Sequence, residues 1–249
     1  MLRATERIRV GIGAVPCDRR PASDVARELA PAHLPLDRLV LVVGAGGSLS
    51  LAAVRAAVAE LRAELGPAIS LGVAATGERM CRLGGEVADL VLLNWMSPER
   101  IRWARRQIRR GSEHRLDGLR RPEPEVASYV RVSVGEGAAL RVGGEAARYR
   151  AMPQYARNFA AMGLASVGIA APDPAQAAGL LEPYLEVLDE TIVRPVVKMP
   201  SSSSPGFDDV FETLSMLMEV ASLLAPSSPA SPQPAPDATT PAPASRPEV

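Results

Sequence analysis

Ile69–Glu99 reads ISLGVAATGERMCRLGGEVADLVLLNWMSPE, and this stretch decides the fold. It opens on a strand-like run, Ile69–Ala74, and crosses a small-residue turn, Ala75-Thr76-Gly77. A helical segment follows from about Glu78 to Glu86. Asp89–Leu93 (DLVLL) is then continuously apolar after its first residue, the pattern of a strand covered on both faces. Asn94 ends that strand, and Ser97-Pro98-Glu99 supplies a cap, an N1 proline and an acidic first turn for the next helix. That helix is expected to run to about Arg110, where Gly111 stops it. Two buried strands joined by a helix imply parallel pairing, because parallel neighbours need a long crossover.

The same alternation extends in both directions. Upstream lie a β-rich run, Arg7–Ala14, a helix over about Ala22–His33, and a strand, Leu39–Val43 (LVLVV). Gly44-Ala45-Gly46-Gly47 ends that strand, and Ser48–Leu65 is a long amphipathic helix with Ser48 or Ser50 as its cap. Downstream come a strand, Ser128–Val134 (SYVRVSV), and a helix, Glu145–Met162, ending at Gly163. Pro174–Leu188 reads as helix, Thr191–Val197 (TIVRPVV) as strand, and Phe207–Leu224 as the closing helix. Six parallel strands separated by helices fit either a doubly wound open sheet or a β/α barrel, and periodicity does not choose between them.

The domain is placed at residues 1–225. The segment 226–249 is Pro, Ala and Ser with almost no large apolar side chain, and is expected to be disordered. Ser201–Ser204 followed by Pro205-Gly206 reads as a loop. Of the 249 residues 47% are hydrophobic, enough for one large core. Lys+Arg and Asp+Glu are both 28, so net charge asks for neither nucleic acid nor an acidic membrane. The arginine bias, with Lys198 the single lysine, is read as helix faces rather than a phosphate-binding surface. Cys17 and Cys81 have no metal spacing, and His33 and His114 are too scattered for a zinc site. No signal peptide or membrane span is visible, which points to the cytoplasm.

Ligands of such sheets bind at the carboxyl ends of the strands. Gly44-Ala45-Gly46-Gly47-Ser48 could admit a ligand to the backbone and to a helix amino end, or be a tight turn with no ligand. Leu49 stands where a dinucleotide fingerprint needs its third glycine. Ala75-Thr76-Gly77-Glu78-Arg79 could cradle a phosphate, with Arg79 adding charge-assisted bonds, or could be a helix capped by Thr76. Asn94 points at the mouth of the sheet, to bind a cofactor ring edge or the local backbone. Arg194 is expected to pair with a neighbouring carboxylate, and Trp95, Trp103 and Tyr129 to be packing residues. No nucleophile–base pair is evident, so no catalytic residue is assigned; a cofactor that carries its own chemistry suits such a sheet.

These residues resemble the luciferase-like monooxygenase superfamily, particularly its branch using the deazaflavin coenzyme F420. ATERIRVGIGAVPCDRRPASDVA and LDRLVLVVGAGGS are similar to two of its strand blocks, and Ile69–Glu99 to its L-A-G-E-x-A-D-G-V-L-L-N segment. SYVRVSVGEGAAL, EAARYRAMPQYARNFAAMG and YLEVLDETIVRPVV resemble later elements, so the likeness spans about residues 4–200. It implies a TIM-barrel-like (β/α)8 family fold whose six strands are the third to eighth, lacking the first two βα units. It implies cofactor phosphate at Ala75, Thr76, Gly77, Glu78 and Arg79. The cofactor would also approach Gly44 and Gly46, and Ala14-Val15, where relatives often have a cis peptide behind the flavin ring. The implied chemistry is hydride transfer with F420, or oxygen activation by reduced FMN, on a small organic substrate.

The departures are specific. Asp37 and Leu90 replace pattern glycines, and the long excursion after the second of these strands is absent. Missing units would remove part of the substrate pocket and expose two sheet edges, which favours a homo-oligomer. Either an oxidoreductase whose missing wall lies upstream or on a partner, or a catalytically inactive flavin-binding or assembly protein, is compatible with this pattern.

Overall fold

A computed structural model describes residues 2–116, 119, 122–197 and 207–225 of the chain. The expected tail at 226–249 and the loop at 201–206 lie outside the described residues. The strands are β1 (Val10–Pro16), β2 (Leu39–Gly44), β3 (Ser70–Ala75), β4 (Leu90–Asn94), β5 (Glu125–Val134), β6 (Ile169–Ala171) and β7 (Glu190–Pro195). The helices are α1 (Ala22–Leu29), α2 (Leu51–Leu65), α3 (Glu78–Val87), α4 (Pro98–Ser112), α5 (Ala138–Arg150), α6 (Pro153–Met162), α7 (Pro174–Leu185) and α8 (Phe207–Leu224).

All strand pairs are parallel, in the order β1-β2-β3-β4-β5. The ten-residue β5 carries further neighbours: β7 along Ala127–Val132 and β6 along Val132–Val134. With β6 the described residues hold seven strands where the sequence reading has six. Three residues are too short to carry a periodic signal of their own.

The sheet curls. In a flat sheet β1 and β5 would lie four strand spacings apart, about 19 Å. Instead Tyr129 Oη of β5 reaches the Gly13 carbonyl of β1 at 3.4 Å. Arg9 pairs across the same interior with Glu125 (3.0 Å) and Glu190 (3.8 Å). The doubly wound alternative is therefore excluded, and the architecture is a curled half-barrel of TIM-barrel type with helices outside.

Alternation of side chains along each strand divides the core accordingly. Val40, Val42, Leu90, Leu92 and Ala127 fill the concave interior. Two larger clusters, around Leu41, Leu71 and Val54 and around Val91, Ile101 and Val132, lie between the sheet and its helices. Two aspartates lock the amino ends of strands by the same device. Asp89 accepts the Leu71 N–H (3.0 Å) and Arg62 (2.7 Å), and Asp189 accepts the Val126 N–H (2.7 Å).

Several helix boundaries differ from the sequence reading: α1 ends at Leu29, α2 starts at Leu51, α5 starts at Ala138 and α7 ends at Leu185, and two further differences have a clear cause. Gly111 does not stop α4, which continues to Ser112; it lets α4 pass against α3, since a Cβ there would meet the Arg82 carbonyl oxygen at 1.9 Å. The expected helix Glu145–Met162 is two helices, α5 and α6, because Pro153 holds Met152 in an extended conformation (φ −91°, ψ 128°). Among the described residues no helix is long and apolar enough to cross a membrane.

Candidate functional site

A cavity of about 1070 Å³ opens at the carboxyl ends of the strands. Its floor is made of small groups at strand ends: Gly13 and Ala14 of β1, Gly44 of β2 and Ala74 of β3, with Leu92 of β4. A Cβ on Gly44 would come within 3.2 Å of the Ala14 Cβ, so the floor is already close-packed and flat. The peptide bond joining Gly13 and Ala14 is cis, one bond before the position the resemblance implies. Val15 turns the other way and packs under α1 and α2, so of the ten residues proposed from the sequence it alone does not line the cavity.

At one end Thr76, Gly77, Glu78 and Arg79 border the cavity at the start of α3. Thr76 is not the cap. Gly77 occupies that position and no side chain caps the helix, whereas Ser50, Ser97 and Asp173 cap α2, α4 and α7. The first-turn N–H groups of α3 are left for an anion. Glu78 is bound to Arg82 at 2.6 Å, and Arg79 has no ion-pair partner among the described residues.

The glycine turn after β2 behaves differently. The Asp18 carboxylate already accepts the N–H groups of Gly47 (2.7 Å) and Ser48 (3.2 Å), so those donors are not offered to a ligand. Gly44 and Gly46 border the cavity, but the anion this turn holds is its own neighbour.

The opposite end is a polar cluster on β4, β5, β7 and the α5–α6 bend. Asn94 donates to Tyr155 Oη (2.9 Å) and accepts from Arg131. Arg131 is 2% exposed, lies over the Trp95 ring (4.3 Å) and Tyr149 ring (5.2 Å), and pairs with buried Glu145. Burial lowers the Arg131 pKa below its ordinary value, with neighbouring Arg194 acting in the same direction. Burial likewise raises that of Tyr155. Arg194 pairs with Glu145 as well, the carboxylate partner its position leads one to expect.

Arg19, Arg79, Arg131, Arg157 and Arg194 all line the cavity, against Glu78 as its one carboxylate among the described residues. The reading of arginine as helix faces holds for α4 but not here. Sequence reasoning missed Arg131, Tyr149, Tyr155 and Arg157 as lining residues. Arg131 was legible in part: it lies two residues from Tyr129 in SYVRVSV, on the concave face. Tyr155 and Arg157 arrive only because the chain bends at Pro153. The buried Cys81 thiol, pushed by desolvation up to about 12, lies outside the cavity.

Solved structures share this fold. An F420-dependent secondary alcohol dehydrogenase in complex with an F420-acetone adduct matches with a TM-score of 0.61 at 14% identity, over 88% of this chain and 81% of that one. The coenzyme F420 dependent tetrahydromethanopterin reductase from Methanopyrus kandleri matches at 0.59 and 16%, over 90% and 85%. Monooxygenase RslO1 from Streptomyces bottropensis matches at 0.61 and 16%, over 90% and 80%. No family model matches the chain, and no curated protein does. At these identities the likeness is one of fold.

Proposed function

We propose that this chain is an oxidoreductase that binds coenzyme F420, or FMN, in the strand-end cavity and acts on a small organic molecule. The observation that carries the reading is the pairing of a flat small-residue floor with an uncapped, arginine-flanked helix start at one end. A planar tricyclic ring needs a floor without projecting side chains, and Gly13, Ala14, Gly44 and Ala74 offer one. A phosphate needs N–H donors and a guanidinium, which Gly77, Glu78 and Arg79 would supply. The volume suits a cofactor together with a small substrate, since sites for one drug-sized ligand span about 300–1000 Å³.

When bound, the cofactor would supply hydride transfer, or oxygen activation if it is a reduced flavin. The protein's part would be positional. The floor would support one ring face, Arg79 would hold the phosphate, and Asn94, fixed by Tyr155 and Arg131, would meet a ring edge. Its two cysteines are free thiols, which suits the cytoplasm.

Absorbance titration of the purified chain with F420 and with FMN tests this reading. Saturable binding is expected, weakened about tenfold or more by Arg79→Ala, the loss of one charge-assisted hydrogen bond. Neither cofactor binding would end it.

One observation favours the alternative of a non-catalytic cofactor-binding protein. Among the described residues no histidine lines the cavity, and its one carboxylate, Glu78, is engaged by Arg82. Saturable binding without cofactor turnover across alcohols, aldehydes and oxygen would select that reading.

A further inference from the structure

The polar cluster opposite Arg79 carries more positive charge than the protein neutralises. Arg131 and Arg194 pair with the same oxygen, Oε1 of Glu145, and among the described residues no other carboxylate pairs with either. Two guanidiniums against one carboxylate leave a surplus of one positive charge at the end of a cavity. Arg131 and Glu145 are both nearly sealed from water, at 2% and 6% exposure. Burying an unbalanced charge is costly, and a fixed counter-charge relieves that cost. Arg131 spends Nε on Glu145 and Nη1 on Asn94, while Nη2 makes no hydrogen bond among the described residues and belongs to a residue that lines the cavity. Arg194, with its side chain 42% exposed, lines the same wall.

We propose that Arg131 and Arg194 form an anion subsite that takes the carboxylate of a small organic substrate. Around Glu145 the surplus of these two guanidiniums is a single charge, which matches a monovalent carboxylate. The planar guanidinium forks match two coplanar oxygens. Tyr129 and Tyr149, whose rings lie beside Arg131 and line the cavity, favour a ligand whose carboxylate is attached to an apolar or aromatic body. Only the word substrate rests on the oxidoreductase reading; the subsite requires no cofactor.

Trp95 lies against Arg131 and reports on the subsite directly. In the full chain carrying Trp103→Phe, which removes the other tryptophan, benzoate and its neutral isostere benzamide are titrated at fixed ionic strength. Benzoate is expected to change Trp95 fluorescence saturably, with benzamide at least about tenfold weaker. Arg194→Gln should weaken benzoate by a similar factor, and Arg194→Lys, which keeps the charge but not the fork, should recover part of it. Arg79→Gln, at the proposed phosphate end, should change little. Equal responses to benzoate and benzamide would overturn the proposal, as would loss with Arg79→Gln but not Arg194→Gln. If Arg194→Gln fails to fold, the benzoate–benzamide contrast and the lysine variant decide. A chain that binds benzoate in this way but neither F420 nor FMN keeps the subsite and loses the oxidoreductase reading; the reverse result sinks the subsite alone.

Discussion

Gly46 has a φ of +62°, and a Cβ there would lie 1.8 Å from Asp18 Oδ1. The Asp18 side chain cannot simply swing away, because it holds the N–H groups of Gly47 and Ser48. Gly46→Ala therefore combines left-handed strain with loss of those two bonds. It is expected to cost about 2–3 kcal/mol in urea unfolding. Gly47→Ala, whose Cβ would stand 3.5 Å from Asp18, should cost clearly less. The contrast shows what a glycine run in a sequence leaves open. GAGGS announces a turn, but whether its amides serve a ligand or a carboxylate 29 residues away depends on where Asp18 is brought. Asn94 and Arg79 were legible as cavity-lining candidates because one ends β4 and the other lies in the first turn of α3, both at the carboxyl ends of strands. Tyr155 was not, since its place depends on α6.

Between elements, α3 and α4 pack with backbone almost in contact. A Cβ on Gly85 would meet the Ile108 carbonyl oxygen at 2.1 Å, and one on Gly111 the Arg82 carbonyl oxygen at 1.9 Å. Neither helix backbone can yield locally, so Gly85→Ala and Gly111→Ala should each destabilise by about 2–3 kcal/mol in denaturant. Gly179→Ala in α7 meets nothing within 4 Å and should instead stabilise by up to about 1 kcal/mol. The α2–α3 contact carries a pH dependence. Hydrogen bonding from Arg55 (2.6 Å) holds the Glu86 carboxyl below its ordinary value of 4.5. A depressed folded-state pKa gives stability that is present above 4.5 and lost as pH falls through the folded value. Glu86→Gln should accordingly be less stable than the parent at pH 7, by less than about 1 kcal/mol for a pair still in contact with solvent. The two unfolding midpoints should converge on acidification. If the difference persists at pH 2, the ion pair is not its source.

For the molecule as a whole, the curl brings β1 within ion-pair reach of β7 without strand pairing between them among the described residues. Ile8 (50% exposed) and Ile12 (42%) flank one edge and Val193 (37%) the other. Arg9 blunts the seam only at its amino end. Unpaired edges with apolar side chains favour pairing with a second copy, and equal numbers of acidic and basic residues, 28 each, offer no net repulsion. Light scattering at tens of micromolar is expected to report a dimer, and Ile12→Arg to shift it toward monomer without lowering the thermal midpoint. A monomeric parent at that concentration would remove this expectation.

The α/β alternation and the places where strands hand over to helices were determined by sequence alone. Apolar runs, caps such as Ser50, Ser97 and Asp173, and proline starts are local signals written in neighbouring residues. Curl is not local. It is set by how inward side chains as small as Gly13 and Gly72 allow strands to close on one another, and by contacts such as Tyr129 with Gly13 across 116 residues. The same holds for the site. ATGERM is readable as one end of a cavity, whereas the Arg131–Glu145–Arg194 cluster joins three elements: Arg131 and Arg194 stand side by side only because β7 pairs with β5, and α5 brings Glu145 onto both. Tertiary structure decided that meeting, because charge balance within a cavity is a property of the space enclosed and not of any segment that encloses it.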